Sequence, residues 1–183
     1  MANFSVTALK TYLSEKNEKE LINEIAELVK LFPEVKSYYS TKLSPEDAIT
    51  VMEKYRKIIT DQFFPDRGHG KLRLSISTKA LNDFMKISKN PVHVADLMLS
   101  YLENCIKFID EYGDGPESLY TRIETLYKKA IDYTEKNNIT EVFKDRISVI
   151  PDTCRNFGYG IYDVISDTYI GYFKIKPKAA RRW

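Results

Sequence analysis

Apolar residues recur every three or four positions along almost the whole chain, and that spacing predicts helices rather than strands. In "NEKELINEIAELVKLF", Leu21, Ile25, Leu28 and Phe32 share one side of a helix, and Ile22 and Val29 widen the stripe. Asn17 stands where an N-cap belongs. Val6, Leu9, Tyr12 and Leu13 mark a shorter helix before it. "LSPEDAITVMEKYRKIITDQF" opens with Ser44 as cap and Pro45 at the first helical position, and its inner face reads Ala48, Met52, Tyr55, Ile59 and Phe63.

After the stretch "FFPDRGHGKLRLS", the segment "STKALNDFMKIS" sets Leu81, Phe84 and Ile87 on one side of another helix. Asn90 and Pro91 start a longer one that runs to Tyr112, and its first half, "VHVADLMLSYL", is apolar nearly all round, as a central, enclosed helix must be. "GDGP" ends it and Pro116 opens the next, whose face is Leu119, Ile123, Leu126, Tyr127, Ala130 and Ile131. A further stripe takes in Ile139, Val142, Phe143, Ile147, Ile150, Cys154 and Phe157, with Pro151 predicting a kink or break within it. "GYG" then interrupts, and "IYDVISDTYIGYF" closes the series. "KLRLSIS" alternates, but no second strand is there to pair with it. The pattern predicts an all-α fold of seven or eight helices, arranged as an antiparallel bundle or as a stacked helical-hairpin array. One domain is expected over residues 1–173, followed by a basic tail over 174–183.

Composition narrows the picture without changing it. The chain has 183 residues and a net charge of +2, yet the last ten, "KIKPKAARRW", hold five basic residues and no acid, leaving the rest at −3 (+2 less 5). A uniformly basic nucleic-acid binder does not look like this; only a local patch or the tail acts that way. No apolar run reaches a membrane span, and "MANFSVTALKTYL" has no secretion signal, so no membrane association is expected. The two cysteines, Cys105 and Cys154, belong to no CxxC framework and fit a reducing cytoplasm.

Two segments carry candidate chemistry. In residues 63–75, Gly68 and Gly70 bracket His69, with Arg67, Lys71 and Arg73 around them. Backbone N–H groups near glycine can cradle an anion and the cations can add charge. The segment is no P-loop, because Leu72 rather than Ser or Thr follows Lys71. The plainer reading, a helix-to-helix connection with its cations in water, is preferred. In the last helix Asp163 and Asp167 stand one turn apart among Tyr162, Tyr169, Tyr172 and Phe173. Carboxylates beside tyrosines can form a polar network, a partner surface, or an acid–base pair.

Other motifs fail on spacing. "DEYGDGPE" resembles half a calcium loop but has Tyr112 and Thr121 where ligands are needed, so a hairpin turn explains it. His69, His93, Cys105 and Cys154 have no zinc-site spacing, and no metal or other cofactor is expected. HExxH and GxSxG are missing.

Read together, "ELINEIAELVKLFPEVKSYY", "FFPDRGHGKLRLS", "FIDEYGD" and "GYGIYDVISDTYIGYF" resemble the domain-of-unknown-function family 6155, across most of residues 9 to 173. The resemblance implies a small soluble bacterial protein and supplies no activity, ligand or site residue. The expectation is therefore a non-catalytic cytoplasmic interaction or scaffold domain with a protein partner. Its contact surface is expected at Arg67, His69, Lys71 and Arg73 or at Tyr162, Asp163 and Asp167. The alternatives are nucleic-acid binding through the loop cations and the tail, and an enzyme built on Asp163 and Asp167.

Overall fold

The computed structural model describes residues 4–175 and 177. Among the described residues there is no strand, and nine helices follow one another: α1 (Val6–Ser14), α2 (Glu18–Leu31), α3 (Pro33–Leu43), α4 (Pro45–Thr60), α5 (Leu74–Ile87), α6 (Pro91–Tyr112), α7 (Glu117–Lys136), α8 (Thr140–Thr153) and α9 (Ile161–Phe173). No described helix is long and apolar enough to cross a membrane. The all-α class is as expected, with one helix beyond the seven or eight read from periodicity. The extra one is α3, whose apolar and polar positions do not segregate to opposite sides. It is set off from α2 by Pro33, which holds Phe32 in extended backbone and breaks the helical run without a glycine.

The caps act as the sequence indicates. Asn17 accepts from the Glu20 N–H while the Glu20 carboxylate accepts from the Asn17 N–H, a complete capping box. Ser44 caps α4 and Asn90 caps α6, each with proline at the first helical position. Of the alternating segment "KLRLSIS", residues 74–77 become the first turn of α5 and residues 71–73 stay in the loop before it, since there is no strand to join. Pro151 sits near the end of α8, so the helix breaks just after it. Val142, read as part of the inner stripe of that helix, is 64% exposed on its outer side.

The helices pack on their neighbours one or two places away in order, and α6 lies in the middle, against α4, α5, α7 and α8. Its half from Val94 to Leu102 is buried except at Asp96, and the six residues read as the inner face of α7 are all buried. Short connections alternate between two ends of the array. The α4–α5 and α6–α7 connections share one end, where the Phe64 and Tyr112 rings stack 6.5 Å apart. The α8–α9 turn lies there too, with Tyr159 4.6 Å from Tyr120. At the opposite end the Thr41 hydroxyl donates to the Ile87 carbonyl, 3.0 Å away. Buried tyrosine hydroxyls tie helices together: Tyr101 donates to Leu74 O and Tyr127 to Ile147 O, each at 3.1 Å.

One charged cluster joins three of the helices. Asp96 of α6 accepts from Arg56 of α4 at 2.5 Å and from Arg146 of α8, while Arg146 also grips Glu103, one turn pair further along α6, at 2.8 and 2.9 Å. Burial pushes the Asp96 carboxyl pKa up, but the hydrogen bonds from Arg146 and Arg56 outweigh it and hold the net value below the usual carboxylate range. Asp96→Asn is expected to cost about 1–3 kcal/mol in urea unfolding, because two half-buried arginines lose their shared anion. A folded-state pKa below the unfolded value contributes stability above roughly pH 4 that disappears as pH falls through the folded value. The difference between wild type and Asp96→Asn should therefore be flat from neutral pH to that point and shrink below it.

Candidate interaction surfaces

The α4–α5 connection is a built loop rather than a slack one. Phe63 is fully buried and anchors its start, and the Leu72 N–H returns to the Gln62 carbonyl at 2.9 Å. Gly70 passes so close that a Cβ there would lie 2.0 Å from the Phe63 carbonyl oxygen, which only glycine avoids. Leu72 is held in left-handed backbone, with φ of 47°. Lys57 clamps the loop from α4, reaching Asp61 at 3.1 Å and Asp66 at 2.8 Å, and its hydrogen bond pulls the Asp66 carboxyl pKa down.

That clamp neutralises the loop's acids and leaves its cations. Arg67, His69, Lys71 and Arg73 are all exposed, and none has a hydrogen bond or ion pair from its side chain to another described residue. Next to them lies an aromatic cluster: Phe64 stacks on Tyr112, Phe108 lies 4.5 Å from Tyr112, and the Lys107 ammonium sits 4.6 Å over the Phe64 ring. The loop thus brings its four sequence-read residues onto one exposed segment.

The second expected surface is elsewhere. Asp163 and Asp167 are exposed on α9, which packs on α7 and α8, and Tyr162 is half-buried beneath the Arg155 guanidinium at 4.7 Å. No hydrogen bond, ion pair or ring contact among the described residues joins this group to the loop. Tyrosines do find acids, one across helices and one within a turn. Tyr172 donates to Asp132 of α7, which pushes its hydroxyl pKa up to about 12, and Tyr120 donates to Asp114 at 2.8 Å. Asp114 also accepts from the Gly115 N–H at 2.7 Å, so "DEYGDGPE" is a turn held by its own acid. Residues 176 and 178–183, most of the basic tail, lie outside the described residues.

Of the residues considered for a metal, Cys105 and Cys154 are buried free thiols, both with pKa values pushed up by burial, to about 12 for Cys154. His69 is in the exposed loop and His93 in the first turn of α6. Among the described residues no three His, Cys, Asp or Glu side chains are gathered as a metal site.

The surface that periodicity hid is at the N-terminal end. Neither α1 nor α2 buries a single residue. Many of their apolar side chains are open instead: Val6 is 65% exposed, Ile22 58% and Leu31 69%, Ile25 and Leu28 are each more than two-fifths exposed, and the flanking Phe4 and Phe32 are open too, whereas Leu13, Leu21 and Val29 are half-buried. So many large apolar side chains open to water within the first 32 residues set this region apart from the enclosed helices that follow it. The stripe was legible as a stripe; nothing in it indicates whether the chain itself covers it.

The loop's dependence on Gly70 is open to test. Gly70→Ala is expected to destabilise the protein by roughly 1–3 kcal/mol in denaturant unfolding, whereas Gly68→Ala, with open space around its Cβ position, should cost only the strain of its positive φ.

Comparison with known proteins adds a family and no activity. No curated protein and no solved structure matches the chain. The model of a family of unknown function matches residues 4–159, which takes in α1, α2 and the loop and stops before α9. On the strength of that match, the chain belongs to the family of unknown function DUF6155.

Proposed function

We propose that this chain is a non-catalytic, cytoplasmic protein-interaction domain whose main contact surface is the outward apolar face of α1 and α2. The observation that carries this reading is the stripe of Ile22, Ile25, Leu28 and Phe32, amphipathic in sequence yet left half-open. Burial of such side chains from water is the main driving force for association. Cysteines held as separate buried thiols agree with a reducing compartment. A photo-crosslinking residue placed at Ile22 should give a protein adduct in cells, and the same residue at the exposed Val142 should not. No adduct from position 22 would remove this reading.

A second reading has its own observation. The cations Arg67, Lys71 and Arg73 have no partner among the described residues and lie beside the half-exposed Tyr112 and Phe64 rings, a combination that suits a phosphate backbone with bases to stack. If the loop binds single-stranded nucleic acid, exchanging these three residues for Gln should reduce the slope of log K against log salt by about 2, since each cation neutralises one phosphate and each phosphate contributes about 0.7. An affinity for single-stranded nucleic acid that is flat with salt, or unchanged by the triple substitution, would dismiss it.

A further inference from the structure

We propose that the apolar face of α1 and α2 is covered by the same face of a second copy of this chain, in a closed two-fold pairing. This rests on the interaction reading above and names its partner.

The first support is α1 itself. It has nine residues, a length at which a helix is marginal in water unless packing holds it, and it buries none of them. What fixes it locally is slight: the Ser5 cap, and a hinge to α2 where Tyr12 donates to Glu24 at 2.6 Å and Lys16 pairs with the same carboxylate at 3.1 Å. These bonds set the angle between the two helices but leave their apolar sides facing water.

The second is the position of the face in the array. From α3 to α8 each helix is packed by helices before and after it in order, whereas α2 packs on α3 and is met from the α1 side by the Tyr12 and Lys16 bonds to Glu24. A stacked array is stable in water when its terminal layer is polar on the outside. Here the terminal layer is apolar, which is the outer surface of a layer that continues into another one.

Size and charge indicate what continues it. The open side chains of α1 and α2 present on the order of 800 Å² of apolar surface, comparable with what each partner contributes to a stable complex. Residues 5–32 carry five glutamates and four lysines, so two copies meet with almost no net charge on either side. The loop at Arg67–Arg73 could not pair with itself in this way, since its unpaired cations would repel. A head-to-tail stack would set this stripe against α9, where the exposed Val164 and Ile170 are interleaved with Asp163 and Asp167, and the two carboxylates would lose water there. The remaining arrangement is isologous: the same patch on both copies, closing after two.

Sedimentation equilibrium of the full chain from low to high micromolar concentration tests this. The expected result is a concentration-dependent mass of two chains. Ile22→Glu combined with Ile25→Glu should raise the dimer Kd by at least about tenfold, and Val142→Glu should leave it unchanged. Both wild-type positions in the double variant are already solvent-exposed, and far-ultraviolet circular dichroism checks that the helices remain. Amide exchange over residues 5–14 should be slow in the dimer and fast in the double variant, since pairing is what orders α1. A single-chain mass throughout, or a dimer that survives the double substitution, overturns the proposal. The crosslinker at position 22 separates the two levels: an adduct with a different protein sinks self-pairing and keeps the interaction reading, while no adduct at all sinks both.

Discussion

A helix that is apolar on every side has to be enclosed on every side, and α6 imposes that requirement on the rest of the fold. Leu97, Met98, Leu99, Tyr101 and Leu102 are all fully buried along consecutive turns, so no single partner helix satisfies them. Four helices are needed, and α4, α5, α7 and α8 supply them. The polar residues on α6 then act as alignment points. Asp96 receives one arginine from each side, and Asn104 donates to Ser100 O at 2.8 Å and to the Thr60 hydroxyl of α4 at 3.3 Å. Apolar burial decides that the flanking helices pack there; these bonds decide their register along the axis.

How much of this was legible depends on whether a feature is local. The inner faces of α4 and α7 were readable because their stripes and their covering are both inside the chain. Periodicity records only that a side is apolar, so α2 gave the same signal as α4 and turned out to be open. Helix α3 carries no stripe and was invisible for that reason. The loop was recognisable from its glycines, but the need for Gly70 arises from the Phe63 carbonyl facing it, an approach made only once the chain has folded back. Likewise the pairing of tyrosines with acids was foreseeable in kind and not in partner. Tyr172 reaches Asp132, forty residues away and on another helix, rather than Asp163 or Asp167 on its own.

The folded chain therefore separates two kinds of surface that its overall charge of +2 conceals. One end layer is apolar and nearly neutral, suited to excluding water. The α4–α5 loop is cationic because Lys57 pairs with Asp61 and Asp66 while Arg67, Lys71 and Arg73 have no partner among the described residues. The two differ in what would disturb them: salt screens the second and strengthens the first. The two proposed contacts would therefore respond to salt in opposite directions.

The depth of the cysteines has a practical side. Both Cys105 and Cys154 are inside the core, and burial pushes both thiol pKa values up. A protonated, inaccessible sulfur reacts with neither alkylating reagents nor disulfides. The native protein is thus expected to resist thiol-directed labels without removal of either cysteine. A spin label or fluorophore attached through one cysteine engineered on the surface would report from that position alone, which makes distances between chosen points of this fold directly measurable.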